Sequence, residues 1–310
     1  MLKLLYFLLL SVLMCVSCSN TDNNYTKDGD ELTVVFAGDV LLSRGVEPII
    51  RRHGVEYLFR GVLPYFRLAD FTVVNLECPV TQINAPLMKK YIFRADDSCA
   101  VALAKSGITH CAFANNHIMD QGVRGLADTY NNIAQAGIIP IGYGYCDSVR
   151  LQPALLQKDG IKVAVFNDCA IRVENYDSPI EGPGIANVPI SQLIPVISSY
   201  HRRYPDNYIV AVLHWGVEFR EHPAMQQRIE ASQLLAAGVD VIVGHHPHVI
   251  QDVDTIGSGI VYYSIGNFVF DQRSPSGRKA LMPIITFKRD TILHKVIDIE
   301  IKNNCPMCKN

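Results

Sequence analysis

Short apolar runs, each closed by a polar residue and a turn, recur along this chain. Leu32 to Ala37 ends in Gly38 and Asp39, and Phe71 to Leu76 ends in Glu77. Ile108 to Ala114 ends in Asn115, Asn116 and His117, and Ile161 to Phe166 in Asn167 and Asp168. Tyr208 to Leu213 ends in His214, Val239 to Val243 leads to His245, His246 and His248, and Ile260 to Ile265 is closed by Gly266 and Asn267. Runs of this length, rich in Val and Ile and bounded by turn residues, predict strands buried on both faces. Helical patterns fall between them, at Ser98 to Ser106, Leu126 to Ala136 and Ser191 to Tyr204. Another lies between Tyr208 to Leu213 and Val239 to Val243, with Pro223 in its first turn, an apolar stripe of Ile229, Leu234 and Leu235, and Gly238 beyond its end. Ile284 to Phe287 and Val296 to Ile301 read as closing edge strands. Residues 172–188 carry Pro and Gly without a period and read as a long loop near the active edge, a candidate for substrate contact.

Strand, helix, strand is a βαβ unit, and its strands are parallel, so their carboxyl ends open on one edge of the sheet. Asp39, Glu77, Asn116, His117, His214, His246 and His248 would all collect there. Singly each has an ordinary explanation: Asp39 as a helix cap, Asn116 as a turn residue, Glu77 as a surface charge. Their shared position does not. Carboxylates gathered at close range repel, and a bound cation relieves that while imidazoles complete its ligand set.

Composition narrows the picture. At 310 residues and 49% hydrophobic content, the chain can build a large core. A formal charge of −2 with mixed signs gives no basic footprint, so no nucleic-acid partner is expected. No GxxxxGK[ST] loop and no GxSxG elbow occurs, which argues against a P-loop transferase and a serine hydrolase.

Residues 1–18 have one early charge, Lys3, an apolar run to Val16, and Ser17 before Cys18, the layout of an export signal. The Ser-Cys ending resembles a bacterial lipoprotein signal and implies membrane attachment through lipidated Cys18. The chain then reads as a polar tether over 19–30, a domain over 31–302 and a tail over 303–310. Of nine cysteines, Cys78, Cys111 and Cys169 read as small core residues, while the CPMC pair Cys305 and Cys308 suits a local disulfide or a disordered end.

Six motifs in order, GDVLLSR from Gly38, NLECPV from Asn75, ANNHIMDQG from Ala114, HWGVEF from His214, GHHPHVIQ from Gly244 and SIGNFVFDQ from Ser264, resemble the capsule-synthesis CapA family of bacterial poly-γ-glutamate synthesis proteins. That family is related to the calcineurin-like metallophosphoesterases. The resemblance implies a four-layer αββα sandwich with mostly parallel central sheets and one or two divalent metal ions, with Mn, Zn or Fe suited. It implies Asp39, Glu77, Asn116, His214, His246 and His248 as metal ligands, with Glu77 as the bridging carboxylate. The chain departs at Leu41, where the wider superfamily has the histidine of Asp-x-His.

Hydrolysis by metal-bound hydroxide is the expected mechanism, with His117 as proton donor and Asp120, three residues on, orienting it. Arg44 is either a clamp for an anionic substrate group or half of a loop salt bridge. The expected partners are an anionic surface polymer or phosphorylated precursor and a membrane polymer-synthesis complex, in the bacterial cell envelope outside the cytoplasm. Two other readings stand beside this exported hydrolase: a catalytically weak scaffold in a polymer synthesis and export complex, and a nucleotidase or amide hydrolase on the same fold.

Overall fold

The structure, a computed structural model, describes residues 30–176 and 179–309. The signal expected at 1–18, with Cys18, and the tether up to residue 29 lie outside the described residues. No described helix is long and apolar enough to cross a membrane.

Two sheets lie face to face. The first runs, edge to edge, through Cys305–Cys308, Ile292–Lys302, Lys279–Lys288, Glu31–Val40, Phe71–Leu76, His110–Ala112 and Ile139–Ile141, with Asn267–Val269 also paired to Glu31–Val40. It is parallel from Glu31–Val40 to Ile139–Ile141 and antiparallel on its other flank. The second sheet runs Val253–Ile256, Gly259–Tyr262, Val241–His245, Tyr208–His214, Ile161–Cys169 and Ala154–Lys158, with its four central strands parallel. The expected βαβ unit is the middle of this sheet, and His245 sits in register with His214.

Alternation along each strand sorts side chains into three cores. Leu32, Val34, Phe36 and Val73 meet Val163, Val165, Val210, Val212, Val241 and Val243 between the sheets. Opposite residues of the first sheet, including Val35, Val74, Leu76 and Cys111, pack outward against the helices Cys99–Lys105 and Gly122–Gln135. Ala164, Ile209, Ala211 and Ile242 pack outward from the second sheet onto Ile190–Arg203 and Met225–Ala236. The order is helix, sheet, sheet, helix, the expected αββα sandwich. Asn167 ties the sheets together, accepting from Ala114 N at 2.8 Å and donating to Val212 O at 3.0 Å.

Three details differ from the sequence reading. The helix of the βαβ unit begins at Met225, beyond Pro223, and buries Gln227, Ala231 and Leu234 while Ile229 is exposed; a polar glutamine fits because its amide reaches back to Ala224 N. The strand expected at Ile260 to Ile265 ends at Tyr262, where the chain leaves the second sheet, and a separate strand in the first sheet begins at Asn267. Lys279–Lys288 is interior to its sheet, and the edge is formed by Cys305–Cys308, within the expected tail. Both cysteines there are free, Cys305 is buried, and Pro306 is tolerated on an outermost strand. Cys78, Cys111 and Cys169 are buried core residues, as expected.

Candidate metal centre

Strand alternation places the carboxylates. On Phe71–Leu76, Val73 faces the second sheet, so Asn75 and, just past the strand end, Glu77 follow on that face. Asp39 needs a correction to its strand. Val35 and Ala37 face outward, and a register shift between Ala37 and Asp39 breaks that alternation, bringing Asp39 against His245 of the other sheet. Gly38 permits it: a Cβ there would lie 2.0 Å from Gly266 O.

Asp39, Glu77 and His214 each offer a ligand atom within 4.8 Å of the others. His214 Nε2 lies 3.0 Å from Asn116 Oδ1, so the expected amide ligand shares the spot. The His214 and His246 rings are 4.9 Å apart, centre to centre, and His246 and His248 are 6.2 Å apart. His248 Nε2 is 3.5 Å from Glu77 Oε1. The six expected ligands thus come together at one buried rim. His246 and His248 leave their strand with positive φ, 94° and 58°, conformations that fold back the loop and aim both rings inward.

Hydrogen bonds sort the atoms into anchored and unanchored ones. Asn75 Nδ2 donates to Asp39 Oδ1 at 2.8 Å and lies 3.2 Å from Glu77 Oε2, and Asn75 Oδ1 accepts from Asn115 Nδ2 at 3.1 Å. Asn267 spends its amide nitrogen on His248 O and Gly277 O, so its Oδ1 accepts from His248 Nδ1 at 2.9 Å and turns Nε2 toward Glu77. Left buried with no hydrogen-bond partner are Asp39 Oδ2, Glu77 Oε1 and His246 Nδ1.

The charges are correspondingly frustrated. Burial would raise the Asp39 carboxyl, yet the His245 and His248 rings hold it well below the usual range. Burial, then the Asp39 charge, pushes Glu77 well above. Against the effect of burial, Glu77 and Asp39 push His248 up to about 9. Burial and then His248 press His246 down to about 3, and burial and then His246 press His214 well below its ordinary value. Two acids at close range, one of them driven to hold its proton, make a setting for a cation.

His117 stands beside this centre. Its Nδ1 is 2.8 Å from Asp120 Oδ2, which also accepts from Phe93 N at 2.8 Å, and the Phe93 ring stacks on it at 4.1 Å. Buried Lys89 pairs with the other Asp120 oxygen and donates to Asn116 O at 2.6 Å. Burial lowers the His117 pKa against the pull of Asp120. Arg44 lies at the mouth, paired with Asp271 and 4.6 Å above the Phe93 ring. A cavity of about 410 Å³ there is lined by Arg44, Phe93, His117, Phe219, His248 and Phe270.

Sequence reading placed His245 among the histidines on this edge but gave no role in the site to it, or to Asn75, Asn115, Lys89 and Asn267. Asn75 was signalled by its spacing of two from Glu77. Lys89 and Asn267 carry no such signal, because long-range packing brings them in.

An αββα sandwich of this kind has counterparts among solved structures. The Haemophilus influenzae NAD nucleotidase NadN superposes with a TM-score of 0.51 at 13% identity, covering 91% of this chain and 60% of that one. The Thermus thermophilus sulfate thiohydrolase SoxB does so at 0.50 and 11%, covering 87% and 56%. Sequence is more specific. The bacterial capsule synthesis protein family PGA_cap matches residues 33–272. The PGA biosynthesis protein CapA of Bacillus subtilis is 32% identical over 304 residues, 97% of this chain and 80% of its own. The capsule biosynthesis protein CapA of Bacillus anthracis is 31% identical over 287 residues, 90% of this chain and 70% of its own. The chain belongs to this capsule synthesis family, as its six motifs led us to expect.

Proposed function

We propose that this chain is an exported, metal-dependent hydrolase of the phosphoesterase type that acts in making a capsule or a poly-γ-glutamate-like surface polymer. One observation carries the reading: Asp39 Oδ2, Glu77 Oε1 and His246 Nδ1 are buried without hydrogen-bond partners in a single rim. Unsatisfied buried acceptors are costly, and a cation would satisfy all three. Asp39, Glu77, Asn116, His214, His246 and His248 fit a divalent ion such as Mn, Zn or Fe, being a mixed oxygen and imidazole set. When bound, such an ion polarises a phosphoryl oxygen and lowers the pKa of water from about 15.7 toward 7.

The chain's own residues do the rest. Asn75 and Asn267 fix the rotamers of Asp39 and His248. Asp120 accepts a hydrogen bond from His117 Nδ1–H, which leaves Nε2 as the nitrogen that exchanges a proton with the leaving oxygen. Lys89 holds Asp120 in place for that. Phe93 and Phe270 shield the mouth from water, and Arg44 lends positive charge to an incoming anion, such as the polymer or its phosphorylated precursor. Membrane attachment through Cys18 would keep the site at the cell envelope.

A second reading, a scaffold with weak catalysis in a polymer synthesis and export complex, is favoured by Leu41. That side chain is fully buried in the outward-facing core, so position 41 supplies no ligand. Metal analysis of purified protein and a panel of phosphodiester, phosphomonoester, nucleotide and γ-glutamyl amide substrates separate these readings. We expect turnover that disappears in Glu77→Ala and His246→Ala while both remain folded. No turnover on any member, with metal-independent stability, would leave the scaffold.

A further inference from the structure

We propose that His245 is a positioning residue for this centre: across the gap between the two sheets, its Nδ1–H holds one oxygen of Asp39 and so turns the other toward the ligand cluster. The inference rests on the metal reading above, but on a residue outside the ligand set. His245 ends the strand Val241–His245, and alternation from Val241 and Val243 points it into the inter-sheet space. Its Nδ1 is 3.1 Å from Asp39 Oδ1, and its ring is buried. A carboxylate can only accept, so Nδ1 carries the proton.

The two oxygens of Asp39 are therefore unequal. Oδ1 takes two hydrogen bonds, from Asn75 at 2.8 Å and from His245 at 3.1 Å, one from each sheet. Oδ2 has none among the described residues, because His248 Nδ1, 3.2 Å away, donates its hydrogen bond to Asn267 Oδ1 at 2.9 Å. Anchoring one oxygen on both sides leaves the other as the ligand atom. Asp39 is the residue whose strand is irregular at this point, so its side chain cannot rely on regular pairing for its aim. His245 itself does not join Asp39, Glu77 and His214 in mutual coordinating range. Its neighbour His246, at positive φ, stands instead beside the His214 ring, 4.9 Å away centre to centre.

The test uses metal affinity, read by competition with a chromophoric chelator for zinc and for manganese, on full-length protein and two variants. His245→Ala removes the donor; His245→Asn keeps it, since the Asn amide nitrogen stands close to where Nδ1 was. We expect His245→Ala to bind metal roughly 10- to 100-fold more weakly, the loss typical of an outer-shell partner. His245→Asn should stay within about threefold of the parent, with thermal melting of all three chelator-treated proteins alike. Unchanged affinity in His245→Ala overturns the proposal, and so does His245→Asn as weak as His245→Ala. Nitrogen-15 NMR of the chelator-treated parent provides an independent arm. A protonated His245 Nδ1 that is released in Asp39→Ala supports the bond, and a bare Nδ1 sinks it. If the bond is present but the parent binds neither metal, the metal reading fails and the positioning role with it, while the inter-sheet contact survives.

Discussion

Opposite ends of the two sheets carry cavities of nearly equal size, both lined with charged residues, yet only one looks like a site. At the amino end, about 440 Å³ is lined by Asp159, Lys162, His201, Asp240, Lys288 and Arg289 among others. At the carboxyl end, about 410 Å³ is lined by Arg44, His117, His248 and aromatic rings. The amino-end charges have partners at the surface: Lys288 reaches Glu31 at 3.5 Å and Arg289 reaches Asp30 at 3.8 Å, the latter pair well exposed. Such pairs contribute little. Behind the carboxyl-end cavity, by contrast, acids and imidazoles are buried, and three of their atoms have no hydrogen-bond partner among the described residues. Neither volume nor the number of charges marks a site here; several unsatisfied buried atoms gathered in one rim do.

That contrast can be broken at the rim. Gly38→Ala should distort the rim itself, since the added carbon would meet the Gly266 carbonyl, a backbone atom that cannot step aside. We expect a loss of about 3 kcal/mol by urea denaturation, the upper range for overpacking. A loss under about 1 kcal/mol would mean that the rim is more pliant than its geometry indicates.

Asp168 sharpens the comparison, being a buried acid on the outward face of the second sheet, away from the cluster. Burial pushes its pKa up to about 7; among the described residues Val188 N alone donates to it, and its Oδ2 has no hydrogen-bond partner. The folded state thus holds a proton that the unfolded chain releases near pH 4. Its contribution is fully present below about pH 4 and is lost as pH rises through about 7. Asp168→Asn should flatten that part of the profile, by at most about 4 kcal/mol between the two limits. Parallel pH profiles for parent and variant would show that Asp168 is better solvated than its burial implies.

Lys288→Ala is the smallest case. Stability should change by less than about 0.5 kcal/mol and metal affinity not at all. A larger change would give the amino-end cavity a role that its exposed pairs do not suggest.

Much of this was legible in the chain. Apolar runs closed by Asp39, Glu77, His214 and His248 located the rim, because parallel strands put their ends together by geometry alone. Asn75 could have been read from Glu77 by the period of two. His245 was harder, since a strand normally points only one of two neighbours inward, and His246 claimed the attention; the chain leaves strand geometry between them and both rings turn to the site. Asn267 was out of reach, because its strand changes sheets and meets Asp39 through pairing across more than two hundred residues. The last strand was hidden by its composition, with Pro306 between residues that suggested a tail.

His246 and His248 both occupy left-handed backbone without being glycine, at a penalty on the order of 1–3 kcal/mol apiece. A mutant library screened for heat tolerance alone would therefore drift toward glycine at these two codons, and each melting curve would improve as an imidazole vanished. Ruggedness and ligand capture pull this loop in opposite directions, so directed evolution of the protein needs a screen that rewards both.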